Sequence, residues 1–128
     1  MEFQMKEIGY KTTFEYGELH VAGDVTYGFR PFQLMVSAIA GCSGSVFRKI
    51  LDKKRIVYDD ITIKAEVERN EEKANRIEKI HLHFIISSSS EDLDREQIQK
   101  CLELAHKNCP MVQSVEGSIN ITETFELK

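Results

Sequence analysis

The chain has 128 residues, 41% hydrophobic and 30% charged, with 17 Lys and Arg against 21 Asp and Glu for a net charge of −4. That length fits one domain over 1–128, the composition is that of a folded protein rather than a disordered one, and the acidic balance speaks against a nucleic-acid surface, which needs a basic face. Three cysteines in no framework spacing fit a core built without disulfide staples in a reducing compartment, and the N-terminal residues show no basic region followed by an apolar run, so a cytoplasmic location is expected.

In chain order, Ile8, Tyr10, Thr12, Phe14 and Tyr16 alternate as in a strand, Gly17-Glu18 turns the chain, and Leu19 and Val21 alternate back. A third short strand is expected through Val25-Thr26-Tyr27. Pro31 stands where a first helical residue is favoured, and the pattern from there to about Lys53 is helical. From Leu34 to Cys42 that helix is apolar nearly all round, the mark of a helix buried on most sides. Ser37 and Gly41 interrupt the apolar run, which reads as too short to span a bilayer, and no membrane partner is expected. The basic tail Arg48 to Arg55 complements the negative end of the helix dipole.

Two strands follow. Ile61, Ile63, Ala65 and Val67 alternate with polar residues, as do Ile80, Leu82, Phe84 and Ile86, and the polar segment Asn70 to Asn75 joins them as a hairpin. A second helix is expected from about Leu93 to Lys107, opened by a capping box of Asp94 with Gln97 and buried along Ile98, Cys101, Leu102 and Ala105. Pro110 interrupts it, a short third helix covers Met111 to Glu116, Gly117 ends that helix, and Ile119, Ile121 and Phe125 alternate in a last strand. The order is that of an α+β fold with a mainly antiparallel sheet.

The chemistry-bearing residues are few. Cys42 lies well past the first helical turn, where the field of the helix N-terminus has faded, and burial in apolar surroundings alone leaves a thiol inert. A reactive Cys42 therefore needs a cation or donor brought from elsewhere. Its small neighbours Gly41, Ser43, Gly44 and Ser45 leave room for a close helix contact, a substrate or another thiol, so a structural and a reactive cysteine both stay open. Cys109 precedes Pro110 at the start of the third helix, where backbone N–H groups favour a thiolate; a small capping residue is the alternative. Cys101 reads as core. His81 and His83 share one strand face with no third ligand at a metal-binding spacing, so no metal site is expected. There is no Gly-rich phosphate loop, no nucleophile elbow and no Cys-x-x-Cys pair.

The segments Arg30-Pro31-Phe32-Gln33-Leu34, Ala38-Ile39-Ala40-Gly41-Cys42-Ser43-Gly44 and Asn108-Cys109-Pro110-Met111-Val112-Gln113-Ser114-Val115, in that order on those elements, resemble the OsmC/Ohr family, named for osmotically induced protein C and organic hydroperoxide resistance protein. The resemblance implies antiparallel sheets wrapped around a long central helix in an intertwined homodimer. It also implies a cytoplasmic thiol-dependent peroxidase that takes a small hydroperoxide and a thiol reductant and needs no cofactor. Cys42 would attack the peroxide and become a sulfenic acid, and Cys109 would resolve it as a disulfide. The substrate-binding positions would be Arg30, Phe32, Gln33, Met35 and Phe47, with the apolar lining of Phe32, Met35 and Phe47 favouring organic hydroperoxides. The family's strand arginine and helix-start carboxylate have no counterpart: no arginine precedes Arg30, and Phe32 and Gln33 stand where the carboxylate belongs. Along a straight helix Arg30 lies about 18 Å from Cys42. Two further readings accompany this one, a non-catalytic dimer binding a small apolar or electrophilic molecule and a redox sensor.

Overall fold

Strand alternation and a long helix become two three-stranded sheets, three α-helices and a short 3-10 turn at Glu71–Lys73 in the computed structural model, which describes residues 1–128. The chain divides into two compact units, Met1–Ser37 and Ala38–Lys128.

The first unit is a meander of β1 (Gln4–Met5), β2 (Tyr10–Thr13) and β3 (Glu18–Val21), each antiparallel to the next. Gly9 turns the chain between β1 and β2 at φ +80°, and a Cβ there would stand 2.2 Å from the Val21 carbonyl oxygen, so both backbone angle and space require glycine. β1 has only two residues, too few for any alternation to read. The strand expected through Val25-Thr26-Tyr27 is instead a turn. Asp24 accepts from the Thr26 amide through Oδ1 at 2.8 Å and from the Tyr27 amide through its carbonyl at 3.0 Å, and an Asx-type turn of this kind overrides the strand preference of Val, Thr and Tyr. Pairing resumes at Phe29, which exchanges bonds with His20 and Ala22 at 2.8 and 3.1 Å. Tyr10, Phe14 and Tyr16, which alternate as a core face would, are exposed, and the buried member of that strand is Thr12, whose hydroxyl donates to the Glu2 carbonyl at 2.7 Å.

Helix α1 runs from Pro31 to Lys53, as its sequence predicts. Its buried stripe is Ile39, Ser43, Gly44, Phe47 and Leu51. The stretch from Leu34 to Cys42 is less enclosed than its all-round apolarity implies: within one chain only Ile39 of it is buried. Nor is the helix too short for a bilayer, since its 23 residues include a window of mean hydropathy 1.3. Its stripe packs on a sheet instead, with Gly44 so close to β4 (Asp60–Asn70) that a Cβ would stand 2.8 Å from Ile63 Cδ1.

In the second unit β4 pairs antiparallel with β5 (Arg76–Ser87) from Asp60 opposite Ser87 to Asn70 opposite Arg76. Ile80, Leu82, Phe84 and Ile86 of β5 are buried on the helix-facing side, each contributing about 1.5–3 kcal/mol of burial free energy. Phe84 meets Phe47 edge-on at 5.2 Å. Helix α2 (Arg95–Asn108) opens on Asp94, whose carboxylate accepts from the Glu96 and Gln97 amides at 2.9 and 3.4 Å, and its predicted stripe Ile98, Cys101, Leu102 and Ala105 is buried. After α3 (Pro110–Ser114) the chain turns at Gly117 (φ +83°) into β6 (Asn120–Leu127). β6 runs parallel to β5, from Lys79 opposite Asn120 to Ile86 opposite Leu127. Alternation predicts which face a residue takes but not strand direction, and the crossover through α2 and α3 makes this pairing parallel.

Candidate functional site

Two thiols far apart in sequence meet in the second unit. α1 holds Cys42 half-buried, and the junction between α2 and α3 holds Cys109 with no exposed surface. The junction exists because Pro110 cannot continue α2 but suits the first position of α3, leaving Cys109 extended at φ −79° and ψ 113°. The Cys109 and Cys42 side chains are near enough to interact, and both are free thiols. Burial raises the Cys109 pKa, and the Cys42 sulfur beside it adds to the rise. The amides of Val112 and Met111 pull the other way, as the helix-start argument anticipates, but they do not prevail, and the balance disfavours the thiolate that its position suggests. Cys101 is core, its pKa raised by burial against an opposing pull from Lys54.

A carboxylate that the sequence reading passed over contacts residues on both cysteine-bearing segments. Glu123 projects from the helix-facing side of β6, opposite Leu82 of β5, with its side chain only 5% exposed. Oε1 accepts from the Ser43 hydroxyl at 3.2 Å and lies 3.4 Å from His106 Nδ1. Burial raises the Glu123 pKa, opposed by His106 and by the Ser43 hydroxyl. Glu123 and His106 also line an open pocket of about 200 Å³ with Gln99, Leu102 and Glu103. A signal for Glu123 was present in the sequence: Ile121 and Phe125 flank it at the strand period, which sets it on the apolar face.

Of the predicted substrate-binding positions, Arg30, Phe32, Gln33 and Met35 fall in the first unit. The Arg30 guanidinium sits 4.7 Å over the Phe32 ring, the Gln33 carbonyl accepts from the Ser37 hydroxyl at 2.7 Å, and Met35 is 45% exposed. Phe47 is a correction. It has no exposed surface and packs on Phe84, because its place in the α1 stripe turns it into the core rather than toward a ligand. His81 and His83 take the sheet surface, as predicted. Their Nδ1 atoms lie 2.6 and 2.7 Å from the hydroxyls of Thr122 and Thr124, respectively.

Comparison with known proteins identifies the scaffold. Residues 22–124 match the family model described as OsmC-like protein. The chain is 32% identical over 98 residues to protein YhfA of Escherichia coli strain K12, covering 76% of this chain and 72% of that protein. It is 27% identical over 101 residues to the organic hydroperoxide resistance protein OhrB of Bacillus subtilis, covering 79% and 71%. Among solved structures, a hypothetical protein from Aquifex aeolicus superimposes with a TM-score of 0.85 at 23% identity over 99% of this chain and 93% of that one. The family match, the relatives and the shared fold agree with the cysteine-bearing segments, and the chain belongs to the OsmC/Ohr family.

Proposed function

We propose that this protein is a cysteine-based hydroperoxide reductase acting on organic hydroperoxides, with a role in resistance to oxidative stress. The observation that carries this reading is the meeting of the half-buried Cys42 with the fully buried Cys109. Kinship to a protein named for organic hydroperoxide resistance supports it.

The division of labour follows from the two environments. Cys42 is the member of the pair that keeps some exposed surface, and the reading assigns it the attack on the peroxide. Its thiolate attacks one oxygen of ROOH, the O–O bond breaks, Cys42 becomes a sulfenic acid, and ROH departs with the second oxygen. Cys109 then forms the disulfide, and its retained proton leaves with the sulfenic hydroxyl as water. A dithiol reductant restores both thiols and is itself oxidised to a disulfide. With Cys109 already beside Cys42, resolution competes well against a second peroxide.

The reading includes a homodimer. Large apolar side chains of the first unit, among them Met5, Tyr10, Tyr16 and Phe29, are at least half exposed in the single chain, a surface of the kind that a second copy covers. Turnover of cumene and tert-butyl hydroperoxide with a dithiol tests the activity. Consumption well above a Cys42→Ser control is expected. Equal rates would remove the peroxidase and leave the non-catalytic binding module on the same scaffold.

A further inference from the structure

Both cysteine-bearing segments are tied to one buried carboxylate oxygen. Ser43, which follows Cys42 on α1, donates its hydroxyl to Glu123 Oε1 at 3.2 Å. His106, three residues before Cys109 on α2, approaches the same oxygen at 3.4 Å. The His106 carbonyl in turn accepts from the Gln113 side-chain amide at 3.1 Å, which joins α3 to the same point. The behaviour of Ser43 is unusual for this chain. Ser37 and Ser114 donate to the carbonyl four residues back, as helical serines commonly do, whereas Ser43, with no exposed surface, reaches across to β6. A carboxylate on the apolar face of a strand is costly to desolvate, so its presence there calls for a use.

We propose that Glu123 is a positioning residue for the cysteine pair: by gripping Ser43 and His106 together, it holds the Cys109 thiol against Cys42, so that a sulfenic acid meets Cys109 before it meets a second hydroperoxide. The proposal rests on the peroxidase reading for its biological meaning, but the grip itself is measurable without peroxide. Oxidised glutathione converts the two thiols to the Cys42–Cys109 disulfide with release of two reduced glutathione molecules, so the equilibrium constant reports how well the sulfurs are held together.

The test compares wild type with Glu123→Leu, Ser43→Ala and Glu123→Gln in that buffer, and then with excess cumene hydroperoxide, following Cys42 sulfinic acid by mass spectrometry. Glu123→Leu and Ser43→Ala are expected to lower the disulfide equilibrium constant about tenfold, the scale of one hydrogen bond to a charged group. They should raise the sulfinic fraction per turnover while the rate of the first oxidation changes little. Glu123→Gln keeps an acceptor oxygen and is expected to recover most of the wild-type equilibrium. Equal disulfide equilibria in all four proteins, or equal losses in both oxidation steps, would overturn the proposal. Should Glu123→Leu fail to fold, Ser43→Ala alone decides, since it deletes only the hydroxyl. A wild type that forms the disulfide in glutathione but is inert to hydroperoxide would sink the peroxidase reading and leave the grip standing.

Discussion

Residues 38–128 bury their apolar side chains and residues 1–37 display them. Only Ala22 of the first unit is a buried apolar residue, and eleven large apolar side chains there are exposed, against three (Val57, Leu104 and Met111) in the second unit. Size and topology explain the contrast. A meander with two-residue and four-residue strands has too much surface for its volume to enclose a core, whereas two faces, helices on one side and a sheet on the other, close over each other in the second unit. The cysteines sit in the more enclosed unit, and the first unit carries the apolar surface that the proposed dimer would cover.

Substitutions of comparable size in the two units should therefore fail in different ways. The largest expected loss of stability is Phe47→Ala, which empties a fully enclosed site against Phe84 and should cost about 3–5 kcal/mol in urea unfolding. A cost below that of an exposed position would show that the second unit is not the closed core described. In the first unit, Tyr10→Glu or Phe29→Glu should leave formation of the Cys42–Cys109 disulfide intact but weaken self-association by about 1.5–3 kcal/mol per side chain, read by sedimentation equilibrium. A wild type that stays monomeric at all concentrations would break the comparison at its root. Smaller again is Asp94→Ala, which removes the α2 cap for about 1 kcal/mol and loosens the helix leading to Cys109.

The smallest effect is one of sign. Glu123 holds its proton more tightly in the folded protein than in the unfolded chain, because burial outweighs the pull of His106 and Ser43. Its contribution to stability is thus fully present below the ordinary glutamate range and is lost as pH rises through its raised value. The groups facing it are Ser43 from α1, and His106, Glu103 and Gln99 from α2. Wild type compared with Glu123→Gln should lose relative stability as pH rises across that range. A relative gain would mean that the ion pair with His106 prevails over burial.

What the sequence made legible tracks the same contrast. The alternation of Ile80, Leu82, Phe84 and Ile86 was readable because each records a side chain meeting a packed core, and the helix bounds Pro31 and Lys53 because a proline at the first position and a basic last turn suit the ends of a helix. In the first unit Tyr10, Phe14 and Tyr16 alternate without a core to face, so the pattern misleads, and the turn at Asp24 is fixed by one side-chain bond rather than by any period. The thiols Cys42 and Cys109 could be chosen from their motifs. Their proximity could not, because it depends on how α1 lies over the β4–β6 sheet beside α2. Glu123 was hidden by its type: an acidic residue in a strand looks solvated until the parity of Ile121 and Phe125 is taken seriously.

The pairing of Cys42 with Cys109 is tested most directly by adding one equivalent of cumene hydroperoxide to reduced protein, quenching with an alkylating agent and mapping the peptides by mass spectrometry. The account predicts a product lighter by two hydrogens in which the Cys42 and Cys109 peptides are joined and only Cys101 takes up label after unfolding. Label on both Cys42 and Cys109 after oxidant exposure, or a disulfide that enlists Cys101 instead, would contradict it.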